Sequence, residues 1–436
     1  MTDISTDKKL RIAYLFQNIG TDFSKSYAAQ LHILHTLRGL QERGHFASLM
    51  ALYPKKRVIY TDNIDAVVGN RLGEEHFART RKREGRFLRL FESGVRRLQS
   101  SLRLPYLSLF DDYRMFNAAR DNLNDIQLIH ERYNGIAVGG ALASKKLGVP
   151  FILEVNADFF DQSKAQGRPI RGLQREIFRM KTRYCFERAD KIICVSEQLR
   201  IHMIEKWNLT PGKTVTLECA ADVAAFGRHF DTKKVRQKFN LNTEPIIIWI
   251  GGFYRWHDLD LLLESFIKVV NRLPQTKLIL VGDGQNRVHF EQRVKAVGLE
   301  RSVIMVGLIE HEKIPEILSV ADVAVAPIPA LSAQDGGTGV PLKLFEYMAA
   351  GKAIVTTNVY QSASVIQNGF TGVLVEPGNV EGFAESIIKI LVDDDERKRL
   401  ARNARQRAVE QHSWNKYSEL LENIYYDVLR EKLKTA

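Results

Sequence analysis

The chain has 436 residues, 45% of them hydrophobic and 26% charged, enough apolar content for two ordinary domain cores in a chain of soluble-protein composition. Its three cysteines, Cys185, Cys194 and Cys219, are odd in number and lack CxxC spacing, so neither a disulfide framework nor a zinc site is suggested. The longest apolar runs, 246–250 and 321–327, are too short to span a bilayer and the N-terminus has no apolar signal core, so a cytoplasmic protein is expected; the formal charge of +12 calls for an anionic partner: nucleic acid, acidic lipid or a phosphorylated substrate.

In chain order, Leu10 to Phe16 reads as a buried parallel strand, followed by a loop with Gly20 and a helical stretch from Ser24 to Arg43 closed by Gly44. Gly20 stands alone, so this is no GxGxxG fingerprint. The region from Arg71 to Arg103 is the most basic, with Arg79, Arg81, Lys82, Arg83, Arg86, Arg89, Arg96, Arg97 and Arg103 interleaved with Phe87, Leu88, Leu90, Phe91, Val95 and Leu98. That pattern gives an amphipathic basic helix able to lie on an anionic membrane, or a solvated helix flanking the first core. No nucleic-acid-binding module accompanies the charge. Ile126 to His130 and Phe151 to Val155 form the next strands around the helical stretch from Ala137 to Leu147. Ligands of open α/β sheets bind at the carboxyl ends of strands, which nominates His130, Glu131, Arg132 and Asn156. A further strand in ADKIICVS leads to Ser196, a helix cap, and the polar stretch 223–243 reads as a linker.

The second half opens with a strand from Pro245 to Ile250, then GGFYRWHD and a helix; strands at 277–281, 303–307 and 323–327 continue the alternation, with Gly282 and Gly284 in a tight turn. Asp335, Gly336, Gly337, Thr338 and Gly339 then lead through Pro341 into a helix carrying Leu342, Phe345, Met348 and Ala349 at helical spacing, with Gly351 as cap and Ala353 to Thr356 as strand. A glycine loop feeding a helix start is an anion site, and Lys343 and Glu346 in the first two turns are placed for a phosphate and a sugar hydroxyl. The competing reading is a solvated i,i+3 pair. Asp393, Asp394 and Asp395 sit at a helix start, where the dipole favours carboxylates without a metal. HExxH, GxSxG and Walker A sequences are absent.

The run PLKLFEYMAAGKAIV, with LIHERYNG, GVPFILEVN and ADKIICVS upstream, resembles the retaining glycosyltransferases of family four over nearly the whole chain except about 58–124. The resemblance implies the GT-B fold class, two Rossmann-like doubly wound α/β domains facing a cleft: 1–222 on the acceptor side, joined by a C-terminal helix at 415–436, and 244–414 on the donor side. It implies transfer of a hexose-type sugar from a nucleotide-diphosphate sugar to an acceptor hydroxyl with retention, without cofactor or metal. Bacterial cell-surface polysaccharide or lipopolysaccharide synthesis, at the inner face of the membrane on a carbohydrate or lipid-linked acceptor, is the expected setting. Glu346 would hold ribose; Lys343, Arg255 and His257 would face the diphosphate; Gly20, Gly252, Gly282, Gly284 and the segment from Asp335 to Leu342 would line the donor; His130, Glu131, Arg132 and Asn156 would face the cleft. The chain departs from the family at several positions: Asn156 stands where relatives often have histidine, and the stretch 217–222, with Cys219, replaces their usual hinge sequence. Thr338 replaces the first of its two glutamates, Gly252 its arginine and His257 its lysine; His257 would titrate near neutrality if unperturbed. These departures keep two alternatives open: a regulatory or scaffold partner that lost the chemistry, or a sugar-nucleotide epimerase of the same fold.

Overall fold

The computed structural model describes residues 9–18, 23, 28–54, 57–79, 86–101, 108–165, 167, 169–330 and 341–435. Two compact units result: residues 1–217 with 418–436, and residues 218–417.

The first unit holds a sheet of seven strands: β1 (Arg11–Phe16), β2 (Phe46–Tyr53), β3 (Arg57–Thr61), β4 (Leu128–Arg132), β5 (Phe151–Val155), β6 (Lys191–Cys194) and β7 (Thr214–Thr216). Their order is β3-β2-β1-β4-β5-β6-β7, parallel except for β3, which pairs antiparallel with β2. The strand order reverses between β1 and β4. Strands this apolar, with β1 reading RIAYLF, are stable only when covered on both faces, as in a doubly wound sheet. The helix Trp414–Thr435 starts in the second unit and belongs to the first from Ser418 on. Its Tyr425 is fully buried there, and Glu422 accepts from Arg43 and pairs with His45 at 2.8 Å.

The second unit holds β8 (Ile246–Ile250), β9 (Lys277–Val281), β10 (Val303–Gly307), β11 (Val323–Ala326), β12 (Ala353–Thr357) and β13 (Val373–Val375), all parallel, in the order β10-β9-β8-β11-β12-β13. Alternation along IIIWI explains its two cores. Ile246 and Ile248 pack with Leu344, Phe345 and Met348, while Ile247 and Trp249 pack with Leu262, Phe266 and Phe383 on the other face. The polar stretch 223–243 is not a linker. It forms two short helices, Val223–Phe226 and Thr232–Lys238, whose Phe226 and Val235, with Leu241, are buried in this unit's core. Its charged residues hide the pattern because these helices are too short to show a clear period.

The basic segment does contain a helix, Arg86–Ser101. An acidic residue anchors it. Glu92 is wholly buried and accepts from Arg96 at 2.7 Å and from Arg114 of the helix Leu109–Asn122, while Phe91 meets Phe110 edge-on. Phe91 nevertheless remains 55% exposed and Arg97 faces solvent. Arg81, Lys82, Arg83 and Arg103 lie outside the described residues.

Candidate functional site

In the second unit the strand order reverses between β8 and β11, and in open α/β sheets ligands bind beyond the strand ends at such a point. The loop after β8 and the helix Leu342–Ala349, which follows β11, both converge there. Lys343 is buried on the first turn of that helix, and among the described residues its Nζ has no hydrogen-bond partner. The ammonium sits 4.6 Å from the centroid of the Trp249 ring, and a Cβ at Gly251 would lie 2.5 Å from it. A cation over an indole face gains about 0.5–2 kcal/mol, far less than the hydration it gives up. Burial accordingly pulls the Lys343 pKa down to about 7, against the partly compensating charge of Glu346.

Glu346 is buried one turn on and its Oε1 lies 2.7 Å from His311 Nε2. Burial opposes a charge on His311, but Glu346 outweighs it and the histidine's pKa is raised. This fixes one carboxylate oxygen on the His311 ring, and among the described residues nothing else is bonded to the other. Tyr347, facing inward, accepts from the Ile250 amide at 2.8 Å and ties the helix to the end of β8.

The two glycine turns brace each other. The Gly251 amide bonds Val281 O and the Phe253 amide bonds Asp283 O, at 2.9 and 3.0 Å. Gly282 has φ +131°, and a Cβ there would lie 1.9 Å from Gly251 O; one at Gly284 would lie 2.6 Å from the Phe253 amide nitrogen. These glycines let two loops touch, which is a packing reason for VGDG distinct from ligand contact.

His257 requires a correction. Its ring meets Trp249 edge-on at 5.6 Å, and burial, together with the nearby Lys343 charge, pushes its pKa down to about 2. In this half-buried place the neutral imidazole is favoured over a cation. Arg255, two residues earlier, is exposed and makes no ion pair among the described residues. Gly252 lies beside Lys343's neighbour Gly251, and Leu342 opens the helix. Gly20, Asp335, Gly336, Gly337, Thr338 and Gly339 lie outside the described residues.

The first-unit candidates are also corrected. Successive residues of β4 point to opposite faces, so His130 and Arg132 separate from Glu131. His130 is fully buried, its Nδ1 2.6 Å from Tyr425 Oη and its ring 4.6 Å from that of Tyr14, contacts that give it a place in the core. Arg132 donates to Glu154 Oε1 at 2.6 Å and Asn156 to the same oxygen at 2.7 Å. Glu154, overlooked in the sequence, is the hub: it also accepts from Tyr14 at 2.9 Å and faces His32 at 3.2 Å. Burial alone would raise its pKa, but His32, Arg132 and His130 hold it well below the usual carboxylate range. On the opposite face Glu131 is buried with Gln17 as partner, and burial pushes its pKa up to about 8, so it is a neutral acid.

Asp158, Asp161 and His202 come together in a metal-like group, but Lys206 Nζ lies 2.8 Å from Asp158 and 2.7 Å from Asp161. A lysine already sits between those carboxylates.

The family model for glycosyl transferases group 1 matches residues 231–407, and that for glycosyltransferase family 4 matches residues 29–225. The chain is 29% identical over 253 residues to N-acetyl-alpha-D-glucosaminyl L-malate synthase of Bacillus anthracis, a match covering 57% of this chain and 62% of that relative, less than two thirds of its length. It is 22% identical over 289 residues to alpha-D-kanosaminyltransferase of Streptomyces kanamyceticus, covering 66% and 73%. Among solved structures it is similar to Anabaena HepE in complex with UDP, with TM-score 0.67 and 17% identity, covering 96% of this chain and 100% of that one. Sucrose-phosphate synthase from Thermosynechococcus elongatus gives TM-score 0.68 and 19% identity, covering 97% and 100%. These likenesses identify the two parallel-sheet units as the GT-B fold.

Proposed function

Because the chain belongs to glycosyltransferase family 4, we propose that its second unit binds a nucleoside-diphosphate sugar and that the protein transfers the sugar to an acceptor hydroxyl. One observation carries this reading: Lys343 Nζ is buried, without a hydrogen-bond partner among the described residues, and set at the reversal of strand order, beside a carboxylate already oriented by His311. A buried cation without a counter-ion costs stability unless an anionic ligand completes it. The helix start adds its own dipole to that attraction, so lysine and helix together would stabilise the charge that grows on a departing diphosphate. Glu346 would take the ribose hydroxyls through the oxygen that His311 leaves open. Arg255 would extend the positive field from the surface, while His257 acts as a neutral packing partner. Retention at the anomeric carbon and independence of a metal ion follow the family resemblance, and bacterial surface-polysaccharide synthesis fits relatives such as the Staphylococcus aureus capsular glycosyltransferase CapM. The test is calorimetric titration with the diphosphates of uridine, guanosine, adenosine and thymidine, then with their sugars. One base should bind selectively, and transfer with its sugar should be unchanged by EDTA. A folded sample that binds none of them would remove the donor reading and leave a partner protein of this fold.

For the first unit we propose contact with an anionic lipid surface through the basic segment 79–103, where Phe91 and Arg97 stand out from a helix fixed underneath by Glu92. No helix among the described residues is long and apolar enough to cross a membrane, so association would be peripheral. Co-sedimentation should show binding to phosphatidylglycerol vesicles, little to phosphatidylcholine, and loss of binding in high salt or with Arg97→Glu. Equal recovery with both lipids would sink this idea.

A further inference from the structure

Gly252 stands where the family carries an arginine, and its surroundings give a reason. A Cβ at residue 252 would lie 2.3 Å from Tyr254 Cε2 and 2.5 Å from Cδ2. The phenol ring is folded back over the backbone and fills the space that any side chain at 252 would need. Trp256 then stacks on Tyr254, with centroids 4.5 Å apart and planes inclined by 21°. Hydrogen bonds from the Tyr254 amide to Gly252 O and from the His257 amide to Tyr254 O, at 2.9 and 3.1 Å, hold the turn that presents both rings. The indole is not drawn into the core. Trp256 is 42% exposed, and Arg255 between the two rings is exposed as well. Ring contacts connect this surface to the buried lysine: Trp256 meets His257 at 6.3 Å, His257 meets Trp249 at 5.6 Å, and Lys343 lies over Trp249.

We propose that the Tyr254–Trp256 stack is a saccharide-binding platform that takes the apolar C–H face of a pyranose ring beside the diphosphate site. This rests on the donor-site reading above and adds to it a subsite in which an aromatic pair occupies the place of a cation. A pyranose presents one face of C–H bonds, and an indole presents an electron-rich face that attracts their partial positive charge. Two stacked rings lose little side-chain entropy on binding, because each has two torsions and they already restrain each other. Arg255 offers its guanidinium to ring hydroxyls at the platform edge. The pyranose can belong to the transferred sugar of the donor or to the acceptor, since both would bring the same C–H face.

The test follows the indole N–H signal of Trp256 in the full-length 15N-tryptophan-labelled protein, assigned with Trp256→Phe. The probes are UDP, UDP-glucose, UDP-galactose and UDP-N-acetylglucosamine, then the methyl α-glycosides of the same three sugars. A response to a free glycoside places an acceptor ring on the stack; a response to a sugar nucleotide beyond that to UDP places the donor's sugar there. In either case Trp256→Ala should weaken that saccharide-dependent binding roughly three- to tenfold, while UDP binding stays within about twofold of wild type. If UDP alone moves the signal as far as its sugars do, or if no probe moves it while UDP binds, the platform is refuted and the stack only braces the loop. If wild type binds no UDP, the same series is run with the diphosphate selected by calorimetry and its sugars; a sample that binds none of the four diphosphates loses the donor reading, and silence in the glycoside arm then refutes the platform.

Discussion

Lys343→Met should abolish measurable binding of the selected nucleoside diphosphate, a loss of at least about 100-fold, and should at the same time stabilise the ligand-free protein. Both effects have one cause. The lysine stem occupies a buried slot that a methionine of similar length fills, while among the described residues the ammonium has the Trp249 face and the nearby Glu346 to offset lost hydration. Removing it should raise stability by roughly 1–3 kcal/mol, read as a higher urea midpoint with unchanged slope. The pH dependence has a definite sign. The folded pKa, about 7, is below that of an unfolded lysine, roughly 10.4. Between those values the unfolded chain holds the extra proton, so this group makes ligand-free stability rise with pH across the window, and below pH 7 its penalty is fully present. Lys343→Met should lose that contribution. For the ligand the direction reverses: a diphosphate needs the charged lysine, so binding above pH 7 should take up a proton and weaken as pH rises. Calorimetry in two buffers of different ionisation enthalpy measures that proton directly. A variant that binds as tightly as wild type, or that is clearly less stable, would show Lys343 to be a structural lysine.

The contrast between the two units shows what the sequence makes legible. In the second unit the strands read as continuous apolar runs and the helix carrying Lys343 and Glu346 follows from its own periodicity. What the sequence hides is long-range: His311 approaches Glu346 across 35 positions, and Trp249 meets Lys343 across 94, and no local pattern announces either. The same gap explains His257, whose pKa is lowered in its half-buried place beside Trp249 and Lys343. In the first unit, polar residues at a strand end suggested ligand contact for His130 and Glu131. Strand alternation sends them to opposite buried faces, where His130 meets Tyr425 and Glu131 accepts from Gln17. The segment 223–243 was obscured by its charge, although Phe226, Val235 and Leu241 belong to the core. Even Gly252, a departure from the family at the level of sequence, becomes intelligible only once the Tyr254 ring is seen above it.

Glu346→Ala should cost the nucleotide roughly 30- to 100-fold in affinity, equivalent to about 2–3 kcal/mol for hydrogen bonds to a charged group. A sharper consequence concerns discrimination. If the free oxygen of Glu346 holds ribose hydroxyls, wild type should bind the 2′,3′-dideoxy diphosphate about as weakly as the variant binds the ribose form, and the variant should treat the two nucleotides alike. This double comparison cancels any general loosening of the site, because misfolding would weaken both ligands without equalising them. His311→Ala should have a smaller effect of the same kind. The carboxylate would remain, but without the 2.7 Å bond that orients it, one oxygen would no longer be fixed and the other would be less well aimed. Equal affinity of wild type for ribose and dideoxyribose forms would remove Glu346 from the ribose and make its pairing with His311 a structural ion pair. The ordering of the three measurements then follows from the geometry: Lys343 governs whether any diphosphate binds, Glu346 whether the sugar ring of the nucleotide is recognised, and His311 how precisely that recognition is held.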